Sequence, residues 1–456
     1  MPTFGFAALA TAYFLSVLII GLRGPRTFVA YTTNPGRTGF LRLTLSLLAT
    51  IVGGGMFLAT AQLGFESAAI PIALGTSYLA GNVILGMLAP AIRVMLTSRS
   101  AGSLFELFDS LYPGDSRRRL GRLFESCSLL VFFLMLAGQY VAIATFVRHF
   151  WGLGPTAAVA VGSVAVAGLS IVVYSVSGGL SRDLAVDSLQ LGCIVIAVSA
   201  IAFSVGPTTV VNSLRALPPS AFVLESSLAT FFIGALLFAA PSFLVRFDLW
   251  QRIVTARSDR VARDSFFAAG VGSLLFFAFF GFLGLYGRAQ GAQSPPLAGL
   301  EVLETLQGSI AYPIAVLGFA AAVMSSADTF LGVAGLAAYR IVQGPSSLAG
   351  GEAGPVPVGL RLSVLLVGAA SIGLALLFQD IVDLFSAAFG VLIAFLPALA
   401  GGLREHRSPT RALASAGVGV GVVLLLAVWI PREAFLPGAI VSAAIYFLPE
   451  RRGRSG

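Results

Sequence analysis

The segment GFAAAVMSSADTFLGVAG, from Gly318 to Gly335, places Ser325, Ser326, Asp328 and Thr329 on two turns of an otherwise apolar stretch. On a helix, Ala322, Ser325, Ser326 and Thr329 fall at i, i+3, i+4 and i+7, which is one face. Hydroxyls and backbone carbonyls suit a small hard cation, and sodium needs about five oxygens by analogy with other oxygen-ligated ions. Two hydroxyls cannot complete that shell. Back-bonding to the i−4 carbonyl also accounts for serines in an apolar helix, but it does not account for the carboxylate of Asp328. A partner with free carbonyls is needed, and LTLSLLATIVGGGMFLATAQLGF offers one, because Gly53, Gly54 and Gly55 interrupt it near the centre. Consecutive glycines weaken a helix, and broken helices are how secondary transporters build ion and substrate sites at membrane depth. Close packing through small residues is the competing reading of the triplet.

Two further stretches carry unusual polarity. YSVSGGLSRDLAVDSLQ (174–190) is a Gly-Gly turn entering a helix with Arg182, Asp183, Asp187 and Gln190. Asp187 lies one turn deeper than Asp183, where a carboxylate is costly unless paired, ligating a cation or wetted from the membrane surface. RFDLWQRIVTARSDRVARD (246–264) reads as an amphipathic inner loop whose charges make surface and gating contacts. Cys127 and Cys193 lie in apolar runs and form neither a disulfide framework nor a metal site. His149 and His406 are the only histidines, both near helix ends, and no metalloprotease motif accompanies them. No enzyme chemistry is expected.

The elements that must position these residues follow from composition. Hydrophobic residues make up 57% of the 456 and charged residues only 11%, against roughly 25% charged in soluble domains. Mean hydropathy is +0.93. Continuous apolar runs of about 20 residues predict an all-α polytopic membrane protein rather than a barrel of short alternating strands. Thirteen helices are expected, near 3–21, 40–63, 68–97, 119–148, 155–176, 182–205, 226–246, 264–287, 310–340, 358–378, 381–403, 411–430 and 434–449, with loops at 288–309 and 343–357. The first is long enough to span and no positive charge precedes it, so it reads as a retained helix rather than a cleaved signal.

All 28 basic residues are arginine. With the N-terminus outside, 24 fall in or beside inner segments, and only Arg148, Arg215, Arg288 and Arg432 in outer ones. That is a positive-inside pattern for a multi-pass protein of the cell (inner) membrane with a cytoplasmic C-terminus. The net charge of +8 is therefore topology and not a nucleic-acid surface. Runs such as DSRRRLGR (115–122) and ERRGRSG (450–456) read as solvated inner segments in reach of anionic lipid.

Taken in order, these stretches resemble the sodium:solute symporter family, the group of the proline, sugar and sialic acid symporters. LATIVGGGMF resembles its first core helix, YSVSGGLSRDLAVDSLQ its Gly-Gly…Asp-x-x-Gln stretch, DLWQRIVTARSDRVAR its Gln-Arg loop, and AAVMSSADTFL its Met-Ser-Thr-x-Asp-Ser motif. The resemblance implies a leucine-transporter-type fold of five helices repeated inverted as the next five. One helix (1–39 with its loop) precedes the core, repeats occupy 40–205 and 206–403, and two helices follow in 404–456.

The resemblance also implies a sodium site at the carbonyls of Ala49, Val52 and Ala322 and the hydroxyls of Ser325 and Ser326. A second cation or proton site would involve Asp187, Asp328 and Thr329. By position, the substrate pocket would involve Gly53, Gly54, Gly55, Met56, Ser77, Tyr78, Gln139, Ser242 and Phe243. That set is apolar enough to favour a small carboxylate or amino acid over a sugar, with an anion drawn to the half-helix N-terminus at the break.

The expected function is sodium-coupled symport of a small organic solute by alternating access. Sodium would be the coupling ion, the bilayer the setting, and a monomer would suffice, although oligomeric state is not specified. Proton coupling through Asp187 or Asp328 is the alternative. A transporter-like solute sensor is a remote third reading, because the chain ends about seven residues after its last expected helix.

Overall fold

The computed structural model describes residues 2–447 apart from 23, 26, 100, 113–115, 152–156, 223, 345–353, 378–379 and 405–407. The described residues are almost wholly helical, with two isolated bridges, Thr27 to Pro355 and Thr38 to Ala256, in place of any sheet. Among the described residues, eight helices are long and apolar enough to cross a membrane, or up to ten if each of two bent pairs counts as one span. Two shorter apolar helices, Thr11–Leu22 and Phe435–Phe447, flank them in sequence.

The break expected at the glycine triplet is present. Phe40–Ile51 and Gly54–Glu66 meet at 57°. Val52 (φ −89°, ψ 51°) and Gly53 (φ −73°, ψ 161°) leave helical geometry between them. None of the three glycines adopts positive φ, so the triplet is not there for backbone freedom. It is there for space. A Cβ on Gly53 would fall on the Ser326 side chain, one on Gly54 on Val323, and one on Gly55 within 3.0 Å of Gln139 and of Phe385. The readings of a break and of close packing both hold. A second bent pair, Leu228–Leu237 with Ala239–Val245 at 48°, carries Pro241 inside its helix and was not foreseen.

The serine-bearing helix, Ala311–Gln343, is central, with 83% of its most apolar window buried, whereas only 28% is buried in Ser175–Val205. The broken pair is fixed against Asp259–Ala289 backbone to backbone. A Cβ on Gly64 would strike the carbonyl of Gly281, and one on Gly284 the carbonyl of Ala61. Small residues let membrane helices approach this closely, where van der Waals contact replaces the hydrophobic drive available in water.

Several expectations need correction. Between the expected helices 155–176 and 182–205 the only shift is in the exact boundary: the chain leaves helical geometry at Gly179 (φ 57°, ψ −179°), the second glycine of the expected Gly-Gly turn. A Cβ there would press on the Tyr31 ring. The expected loop 288–309 contains the helix Ala298–Glu304. The expected inner loop 246–264 is instead the buried helix Phe247–Thr255 and the start of Asp259–Ala289. The reason is that Arg246, Asp248 and Arg252 pair with buried polar groups and need no water. His406, most of 343–357 and the run 450–456 lie outside the described residues.

Loops expected to share a side do meet. Thr38 bonds Thr255 at 2.8 Å and Tyr31 donates to the carbonyl of Ser175 at 3.1 Å. At the other end Arg432 reaches Glu66 (2.9 Å), Asp380 (3.3 Å) and Asp383 (3.3 Å). Burial works against the charge of Arg432, but these carboxylates outweigh it and hold its pKa above the ordinary value. Arg340, counted among inner arginines, is fully buried between Asp109 (2.9 Å) and Glu125 (2.6 Å). Removing one partner of a buried ion pair leaves the others uncompensated. Arg340→Met is therefore expected to cost about 3–5 kcal/mol, read as a lowered thermal midpoint of the purified protein in detergent.

Candidate functional site

At the break, Phe40–Ile51 ends and its last carbonyls lose their i+4 amides. The serine helix supplies replacements. Ser325 Oγ donates to the Ala49 carbonyl at 2.8 Å and lies 3.0 Å from the Ala322 carbonyl. Ser326 Oγ donates to the Thr50 carbonyl at 2.9 Å and lies 3.5 Å from that of Ala49. All of these residues are buried. Of the five residues expected around one cation, Ala49, Ala322, Ser325 and Ser326 are linked directly, and Val52 is the turn that ends the half-helix. The Thr50 carbonyl joins them, which spacing alone did not suggest. A hydroxyl has one donor and two lone pairs, so both serines can bond carbonyls or turn lone pairs toward a cation in the same place. The donor set is all oxygen and uncharged, which fits a small hard monovalent ion.

The second group of residues is organised differently from the expectation. Asp187 Oδ2 accepts from Ser46 Oγ at 2.5 Å, and the Arg252 guanidinium lies 3.7 Å away. Arg252 Nη2 also donates to Thr329 Oγ1 at 3.1 Å and to Thr50 Oγ1. Asp187 and Thr329 thus do come together, around an arginine that had been assigned to a surface loop. Asp328 is buried and turns Oδ1 to the amide of Thr329 at 2.6 Å. In FDLWQRIVT, Arg252 shares the polar face of an amphipathic helix with Asp248, Gln251 and Thr255, a face that reads as wetted in the sequence and is buried in the structure.

The expected pocket residues divide. Gly53, Met56, Tyr78 and Gln139 line one small cavity of about 10 Å³, together with Ser326, Phe385 and Arg246. Room for about one water is all that such a volume provides. Gln139 accepts from the Gly55 amide at 2.9 Å. Its amide nitrogen lies beside Gly53 and Gly55, where added Cβ atoms would sit 3.1 and 3.0 Å from it. Phe243 packs edge-on against Tyr78 with ring centroids 5.0 Å apart. Ser77 and Ser242 are turned to structural tasks: Ser77 accepts from the Ala240 amide at 2.8 Å, and Ser242 donates to the Ala239 carbonyl at 2.6 Å. The missed member is Arg246. It is buried, forks onto Asp248 (Nε to Oδ1 3.1 Å, Nη2 to Oδ2 2.6 Å) and lies 5.5 Å over the Phe243 ring.

No protein-family model and no curated protein sequence matches this chain. Solved structures do. A sodium-coupled sialic acid symporter, in a substrate-bound outward-open state, aligns with a TM-score of 0.75 over 96% of each chain at 17% identity. MHP1, a nucleobase-cation-symport-1 family transporter closed around bromovinylhydantoin, aligns at 0.53 over 91% of this chain and 93% of its own, at 14% identity. MhsT in complex with L-phenylalanine aligns at 0.51 over 90% and 99%, at 14% identity. At these identities the likeness is one of fold. The chain has the all-helical fold of the leucine-transporter type.

Gly53 gives a direct check on the tight contact that brings the break against the serine helix. Gly53→Ala is expected to lower stability by about 1–3 kcal/mol, as overpacking does. Gly421→Ala, whose Cβ meets nothing within 4 Å, is expected to be neutral or slightly stabilising in the same thermal unfolding measurement.

Proposed function

We propose that this protein is a secondary transporter of the sodium:solute symporter type, which couples sodium entry to uptake of a small organic solute by alternating access. The observation that carries the reading is the convergence of Ala49, Ala322, Ser325 and Ser326 oxygens at the break in the first core helix. Sodium at that point ties the broken helix to the serine helix. An ion shifts a conformational equilibrium only by its differential affinity for the two states, and a site made from two separate helices has that property whenever the helices move relative to each other. The sialic acid symporter's fold supports the reading over nearly the whole chain.

On this reading the two halves, 40–205 and 206–403, are inverted repeats, and the two bent pairs occupy corresponding places in them. The N-terminus lies outside, the arginine-rich loops and the C-terminus lie in the cytoplasm, and the protein resides in the cell membrane. Sodium is favoured over a proton as the coupling ion because the Arg252 guanidinium already stands beside Asp187, where a carried proton or a second cation would have to compete with it.

The test is uptake into proteoliposomes of a panel of radiolabelled small carboxylates and amino acids, with and without a sodium gradient, alongside radiolabelled sodium binding. Uptake is expected to need sodium, and Ser325→Ala and Ser326→Ala are each expected to weaken sodium binding by about tenfold or more. Uptake that persists unchanged in sodium-free buffer, in the wild type and in both variants, would sink the reading.

A further inference from the structure

Two cavities share Met56, Tyr78 and Phe385 as walls. On one side of these residues the lining brings polar groups, Arg246, Gln139, Ser326 and the backbone of Gly53, among apolar ones such as Ile51, Met135 and Phe330. On the other side is a space of about 70 Å³ bounded by Phe231, Phe389, Phe435, Leu74 and Ile393 among other almost entirely apolar side chains. Neither lining contains an acidic residue.

We infer that the solute is a monocarboxylate with an apolar body and no ammonium group, and that Arg246 is the residue that holds its carboxylate. This rests on the transporter reading above and narrows it. Arg246 is 1% exposed, so it is costly to keep there without a purpose or a partner. Asp248 is a partner for only one edge. It takes Nε–H and one N–H of Nη2, the Tyr78 hydroxyl is a further neighbour, and a guanidinium has five N–H donors, so donors remain. The fork keeps the group charged and fixes its plane, the arrangement in which arginine recognises a second planar carboxylate.

Two more features of the same small cavity favour an anion. Gly53 stands at the N-terminus of the half-helix Gly54–Glu66, which is the positive end of its dipole. The Gln139 amide nitrogen, a donor, lies beside Gly53 because its oxygen is committed to the Gly55 amide. Beyond Tyr78 and Phe385 the aromatic and aliphatic walls take the body of the acid. An amino acid would bring an ammonium group to linings that offer it no acidic side chain, since Asp248 is held by Arg246.

The experiment is calorimetric titration of the purified full chain in sodium-containing detergent buffer with phenylacetate, 4-methylpentanoate, their uncharged amides and L-phenylalanine. Both acids are expected to bind, and the amides and L-phenylalanine to bind about tenfold or more weakly. Arg246→Gln alone would strand Asp248, so the double variant Arg246→Gln/Asp248→Asn, which removes both charges, is the decisive one. It is expected to lose the acids by a similar factor while still binding radiolabelled sodium. Equal binding of acid and amide, L-phenylalanine binding as tightly as phenylacetate, retention of the acid preference in the double variant, or no binding of either acid by protein that binds sodium would each overturn the inference. Acid binding without any sodium binding would instead leave the anion site standing and remove the symport reading.

Discussion

The structure depends on the loss of helical hydrogen bonding between Ala49 and Gly53. A continuous helix would consume the carbonyls of Ala49 and Thr50 internally. The turn at Val52 releases them inside the bundle, where an unsatisfied carbonyl is costly. Ser325 and Ser326 satisfy them, and they can do so only because Gly53 lets the serine helix approach to contact. Break, glycine and hydroxyls form one device. It gathers uncharged polar oxygens inside the helical bundle, the donor set on which the proposed sodium site rests.

Three fully buried arginines extend the same logic to charge. Each is balanced differently. Arg340 sits among Asp109 and Glu125, with Glu106 at 3.8 Å, and joins the serine helix to the helices Leu104–Leu111 and Ser116–Trp151. Arg252 links Asp187, Thr50 and Thr329, so it spans three separate segments just beyond the serine pair. Arg246 has a single carboxylate partner, two residues away in its own chain, and faces a cavity. A charge shared among several carboxylates and hydroxyls rigidifies the helices that carry them, and Arg246, with one carboxylate and the neighbouring Tyr78 hydroxyl, retains donors for something else. This difference in partners separates the structural arginines from the candidate binding one.

Much of the architecture was legible in the sequence. The broken helix and the long spans follow from a glycine triplet and apolar run length, and the shared face of Ser325 and Ser326 from a three-and-four residue spacing, all local signals, whereas the pairing of Ala49 with the two serines was implied by the family resemblance. The stretch 246–255 was misread because charge in a short segment between apolar runs normally means a wetted loop. Its partners, Asp187, Thr50 and Thr329, are remote in sequence, and no local pattern reports them. Ser77 and Ser242 were placed in the pocket by position alone. Their hydroxyls are consumed by the backbone at Ala239 and Ala240, around the second bend.

The sequence by itself determined a polytopic helical membrane protein and pointed to the two elements whose oxygens meet. These are consequences of hydrophobicity and helical periodicity, which act residue by residue along the chain. Only the tertiary structure decided that the glycines serve close approach rather than positive φ, that Arg252 stands beside Asp187, and that Arg246 faces the cavity at the break. Those outcomes depend on which helices press together and on how buried charge is neutralised once they do, and both are properties of distant residues brought into contact.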